Sequence, residues 1–175
     1  MLRAGSRELA FVSTLHVAPG PPRLDHLFDM RAELGAPELI GEVAEGLRLH
    51  LYVTGGWFRG PRLSGEVLPV GGDWFLLRRD GVGQLDVRAT LRTEDGALIY
   101  TWYSGLLYLD RAQREVAAAG GVPTGEFRLA TAPMYRTGDA RYLWLNRTLA
   151  VAKGWSDGTS VEYRVYRVDV GQDER

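Results

Sequence analysis

The chain has 175 residues, 45% of them apolar and 25% charged, with a formal net charge of -1 at pH 7. That length suits one domain, or a domain with an extension, and the balanced charge offers no basic field for nucleic acid or an anionic membrane, so neither is expected as a partner. The sequence contains no cysteine, which excludes disulfides, thiol nucleophiles and thiolate metal sites.

In chain order, β-rich runs fall at 8–17, 28–34, 47–54, 62–68, 74–79, 84–93, 97–108, 127–135, 142–152 and 160–169, punctuated by glycines and turn pairs. Their spacing of roughly 8 to 12 residues is that of an all-β sandwich or barrel. Pro19-Gly20-Pro21-Pro22 reads as a stiff turn or linker after the first run, which makes residues 1–26 an N-terminal extension, 27–168 the β domain and 169–175 a C-terminal tail. The first residues, MLRAGSRELAFVSTLHV, lack the apolar core of a signal peptide, and no run is long enough to span a bilayer, so the cytoplasm is the default compartment. One short helix is expected at 111–119, capped by Asp110 and ended by Gly120-Gly121.

Within the strands, two turn signals decide which side chains meet. Gly71-Gly72 reads as a sharp turn that sets Asp73 and Trp74 at the start of a strand, one of them aimed inward; alternatively, Asp73 caps the turn and Trp74 plugs one end. Asp95-Gly96 between two alternating runs is a strong hairpin signal. If those two residues form the loop, Arg88 pairs with Tyr103 and Thr90 with Thr101. Asp86, Arg88 and Tyr103 then share one face, while Leu85, Val87, Tyr100 and Trp102 share the other. The pattern leaves open which face is inside. On the run 142–152, Tyr142, Trp144 and Asn146 share a face. His50 lies on the polar side of a strand whose other side carries Leu47, Leu49 and Leu51, as an exposed strand histidine would. The dispersed His16, His26 and His50, and the lack of HxH, HExxH or a strand-to-helix GxGxxG, predict neither metal nor cofactor.

Many ordered pieces of the sequence resemble the domain-of-unknown-function 3237 family. They run from Gly55-Gly56-Trp57-Phe58-Arg59-Gly60-Pro61 through Val67-Leu68-Pro69, Gly71-Gly72-Asp73-Trp74, Arg79-Asp80-Gly81, Leu85-Asp86 and Asp95-Gly96-Ala97 to Phe127-Arg128, Thr137-Gly138 and Tyr142-Leu143-Trp144-Leu145-Asn146. The resemblance covers about residues 27–168. It implies a single antiparallel barrel of about eight strands, lipocalin-like or calycin-like, and no particular reaction.

A barrel of that size has room for side chains or one small ligand. Two functions fit the inventory. In one, a cofactor-independent isomerase, cyclase, hydratase or lyase holds a small, largely apolar metabolite bearing a carbonyl or hydroxyl. Asp73 or Asp86 would be its acid or base, Arg88 would stabilise an oxyanion, Tyr103 would orient the substrate, and Trp74, Tyr100, Trp144 and Asn146 would bind it. In the other, the same residues select a ligand that the barrel carries unchanged. A homo-oligomer fits either reading.

Overall fold

The structure, a computed structural model, describes residues 20–169; the candidate strand at 8–17 lies outside them. The chain forms ten strands: β1 (Arg23–Leu34), β2 (Glu38–Val43), β3 (Gly46–Arg59), β4 (Ser64–Asp73), β5 (Leu76–Arg78), β6 (Val82–Thr93), β7 (Leu98–Tyr108), β8 (Phe127–Arg136), β9 (Ala150–Ser156) and β10 (Ser160–Asp169). One α-helix, α1 (Arg111–Ala118), follows β7, and a 3-10 helix, Ala140–Arg147, precedes β9.

The sheet runs in the order β1-β10-β9-β8-β7-β6-β4-β3 and closes on itself where β1 pairs with β3. The result is a closed eight-stranded antiparallel barrel, with β2 added alongside β3 and β5 bridging β3 and β6. Closure leaves those eight strands without a free edge, which is how a barrel avoids edge-to-edge association. β6 shows why the sequence folds this way: Leu85, Val87, Ala89 and Leu91 are buried, and the residues between them face out. β1 begins at Arg23, whose guanidinium pairs with Asp169 at the far end of β10, so the first strand reaches back past residue 27.

Glycines allow the strands to approach and bend. Gly71 and Gly72 lie inside β4, where the pairing with β6 shifts register between Val67 and Gly71, so the expected sharp turn is instead a bulge within a strand. A Cβ on Gly71 would stand 2.2 Å from the Arg88 carbonyl oxygen, and one on Gly72 2.6 Å from that of Leu51. β3 carries a similar break at Gly55-Gly56, beyond which it continues as a strand to Arg59.

The run 142–152 is not one strand. Its first half is the 3-10 helix, started by Asp139, whose carboxylate accepts the amide of Arg141, and it drives Leu145 fully into the core. Closing the barrel end outweighs the strand preference of Tyr142, Leu143 and Trp144. Phe28, Phe58, Ile99 and Tyr135 belong to the same core, with Phe28 5.5 Å from Phe58 and 6.0 Å from Tyr135 between ring centroids. The other end is roofed by α1 and the segment 120–126. Asp110 and Gln113 form a capping box, and the buried Gln113 amide also donates to the carbonyls of Thr124 and Glu126.

The approach at the β1–β3 seam is testable. Gly56 has φ +140°, and an added Cβ would lie 2.1 Å from the Arg31 carbonyl oxygen. Gly56→Ala should lower the unfolding free energy by about 3 kcal/mol or more. Gly138→Ala, whose Cβ would meet nothing within 4 Å, should change it by less than about 0.5 kcal/mol. Equal urea midpoints for the two variants would show that the β1–β3 closure tolerates a side chain.

Candidate functional site

At the roofed end the barrel encloses a cavity of about 160 Å³. Cavities of this order hold a single aromatic ring. Its walls are the inward residues of several strands: Leu47, Leu49, Leu51 and Val53 from β3, Leu85 and Val87 from β6, Leu107 from β7, Leu129 from β8 and Val161 from β10. Phe75, Phe127, Pro37, Val122 and Pro123 complete the mouth. Among these apolar groups stand one carboxyl, Asp73, two phenols, Tyr103 and Tyr163, and Ser156. The Ser156 hydroxyl is occupied by the Ser160 carbonyl, 2.6 Å away.

Asp73 ends β4, with its backbone paired to Leu51 on one side and Val87 on the other. Its side chain extends the ladder by one bond, accepting the Asp86 amide at 2.9 Å, while the Trp74 amide donates to the Asp86 carbonyl. Asp73 is 9% exposed. Burial pushes its carboxyl up to about 7; the Asp86 amide bond works against that rise, the Asp86 charge adds to it, and the Arg48 charge reduces it. Arg48 acts from the outer face, where its guanidinium donates to the Trp74 carbonyl at 2.8 Å.

Tyr103 and Tyr163 are both buried and meet edge to face at 5.8 Å between ring centroids. Burial raises both phenols, and the nearby Asp73 charge raises them further, so both stay protonated donors at neutral pH.

The structure brings Asp73 and Tyr103 together and separates the other candidates from them. The 95–96 hairpin has a three-residue loop, not a two-residue one: Thr93 pairs with Ala97, its hydroxyl accepts the Ala97 amide at 2.8 Å, and Gly96 takes φ +88°. Arg88 therefore faces Trp102, and Tyr103 faces Val87. That one-residue slip turns Tyr103 inward and leaves Asp86 and Arg88 outside, paired with each other at 2.9 Å with roughly half of each side chain exposed. Tyr100 also points outward, stacked on Trp102. Trp74 packs outside against His50, with Arg88 5.2 Å above its ring. Trp144 and Asn146 sit at the opposite, closed end. Arg62 lies 3.8 Å over the Trp144 ring, and the Asn146 amide holds both the N–H and the carbonyl of Thr137. Tyr163 was missed, although the alternation of Val161, Tyr163 and Val165 with Glu162 and Arg164 marks it as inward.

Among the described residues, no helix is long and apolar enough to cross a membrane, and no group of three or more His, Asp or Glu side chains is placed to hold a metal ion. Fold and cavity together define a small closed β-barrel whose one open end leads to an apolar chamber with a single acid. The chain belongs to the DUF3237 family of proteins of unknown function, whose profile matches residues 22–168. It is 27% identical over 144 residues to a UPF0311 protein of Rhodopseudomonas palustris, covering 82% of this chain and 94% of that one. Its fold is similar to a crystal structure described as a β-barrel-like protein of Acinetobacter baumannii, with TM-score 0.71 and 29% identity over 87% of this chain and 99% of that one. It is also similar to a structure described as an enzyme from Penicillium herquei, with TM-score 0.66 and 22% identity over 89% and 100% of the two chains.

The raised Asp73 carboxyl ties stability to pH. Because the folded value is about 7 against an ordinary 3.8, the folded state holds its proton more tightly than the unfolded state. The resulting stabilisation is complete below about 4 and is lost as pH rises through about 7, a change of up to about 4 kcal/mol. Asp73→Asn cannot titrate, so its unfolding free energy relative to the unmodified protein should climb between pH 4 and 7 and then level off. A difference that stays constant across that range in urea titrations would show that Asp73 is not buried as described.

Proposed function

We propose that this protein is a cofactor-independent acid–base enzyme that binds a small, uncharged, largely apolar molecule bearing a carbonyl or hydroxyl in the cavity at the roofed end of the barrel. One observation carries the reading: Asp73 puts the one carboxyl into a chamber walled mostly by apolar side chains, with no cationic side chain among the lining residues. A buried acid without a charged partner costs stability, and a value near 7 is the one a proton-transfer group needs at neutral pH.

The roles follow from position. Asp73 is the general base, and later the acid that returns the proton. The Tyr103–Tyr163 hydroxyl pair supplies the donor for negative charge on the substrate oxygen, a part that Arg88 cannot play from the outer face. With one acid–base group and apolar walls, the reactions favoured are those that give back the proton they take, such as isomerisation or ring closure. The leucines of β3 hold the apolar body of the substrate, and the cavity volume limits the enclosed part to about one ring. The description of the Penicillium herquei barrel as an enzyme agrees with this reading at the level of the fold.

As a base Asp73 works ionised, so kcat/KM should rise as pH passes through about 7 and then level off. Asp73→Asn should reduce turnover by roughly 100-fold to 10,000-fold while ligand binding persists. Leu85→Trp, which fills the chamber, should abolish binding. The assay is a panel of small cyclic ketones and hydroxyketones, followed by mass spectrometry for products and by calorimetry for binding. Ligands that bind tightly and leave the unmodified protein unchanged would replace the enzyme with a carrier.

A further inference from the structure

In a barrel wall one face meets the lumen and the other meets water, and β6 conforms, with Gln84, Asp86, Arg88 and Arg92 facing out. β7 does not. Its outward residues Leu98, Tyr100, Leu106 and Tyr108 are 54%, 43%, 37% and 50% exposed, and Trp102 lies among them. Beside them on β8 the outward positions are Ala130, Ala132 and Met134, with Arg128 and Arg136 at the two ends of the row. A strand apolar on both faces is the pattern of one covered on both faces. The surface is also preformed: the Tyr100 and Trp102 rings stack at 5.3 Å with 18° between planes, and Arg136 caps Trp102 at 5.1 Å. Rigid aromatic surface of this kind dominates interface energetics.

We propose that this face joins two copies of the chain into a two-fold dimer, with the two β7 strands antiparallel across the interface. A two-fold contact must be complementary to itself. About the midpoint of β7 at Tyr103, the outward residues fall into equidistant pairs, so Trp102 lies over Ser104 of the second copy, Tyr100 over Leu106 and Leu98 over Tyr108. The rows on the neighbouring strands follow. Met134, level with Trp102, meets Ala132, level with Ser104, and Arg88, level with Trp102, meets Asp86, level with Ser104. Trp102 and Met134 thus oppose the small Ser104 and Ala132, apolar side chains oppose each other in the remaining β7 pairs, and a cation opposes an anion, each twice. Aligned sheet packing keeps strand directions within about 30°, so this pairing holds near the axis. Eleven residues of β7 flanked by a strand on each side give a face of about 500 Å² in plan. Side-chain relief brings this toward the ~800 Å² of accessible surface that a standard interface buries per partner. The arrangement gives Asp86 and Arg88 a place at the rim of an interface.

The test is the oligomeric state of the intact chain by light scattering and sedimentation at micromolar concentration. The unmodified protein should have the mass of two chains. Tyr100→Glu and Leu106→Glu should give monomers with unchanged far-UV spectra. Asp86→Arg and Arg88→Asp should each weaken the dimer by about tenfold or more, because each makes the rim a single sign. Mixed in equal amounts, those two variants should recover the dimer. A monomeric unmodified protein, a dimer indifferent to Leu106→Glu, or a mixture no tighter than its components would each overturn the proposal.

Discussion

β3 has to serve four partners, and the rest of the barrel depends on how it manages this. Its first residues pair with β2 and β5, its middle with β4, and its last residues with β4 and β1, the last contact being the one that closes the cylinder. A regular strand cannot change partners without bending, and the bend falls at Gly55-Gly56, both with positive φ. The near-contact of Gly56 with the Arg31 carbonyl shows how little room the seam has. Before that bend Leu47, Leu49 and Leu51 line an open chamber; beyond it Phe58 is completely buried in the aromatic floor.

The two ends of the barrel are therefore different materials. The floor packs Phe28, Phe58, Ile99, Tyr135 and Leu145 without space for a ligand, while the other end surrounds its cavity with leucine and valine. Asp73, Tyr103 and Tyr163 are the polar layer of the chamber, and Tyr103 and Tyr163 also border the packed floor. Polar atoms at such a depth persist only if they are bonded, and among the described residues no buried side-chain nitrogen or oxygen lacks a partner.

Much of this was legible in the sequence, and the gaps have physical reasons. The helix start at Asp110 was readable because a capping box uses only residues within one turn of each other. The strands with polar residues on one side, such as β6 and β10, were readable from alternation. The short β2 was not, because Leu39 and Ile40 are exposed and carry no inward pattern. The hairpin at Asp95-Gly96 was visible, but its loop length was not, since it depends on the Thr93 hydroxyl replacing a backbone partner for Ala97. That one residue separated Tyr103 from Asp86 and Arg88, which the two-residue loop would have set on one face, and of the two faces the one with Asp86 and Arg88 turned out to be the outer one. Trp144 and Asn146 went astray for a longer-range reason: the need to plug the floor with Leu145 is a property of the closed barrel, and no local signal between 142 and 152 reports it.

Gln113 fastens two things at once. Its side chain receives the Asp110 amide as part of the helix cap, and its amide nitrogen binds the carbonyls of Thr124 and Glu126 at the base of the segment that carries Val122 and Pro123 over the chamber. The base of the roof and the start of α1 are thus tied to one buried side chain, whose nitrogen holds the first and whose oxygen holds the second, so replacing Gln113 would loosen both.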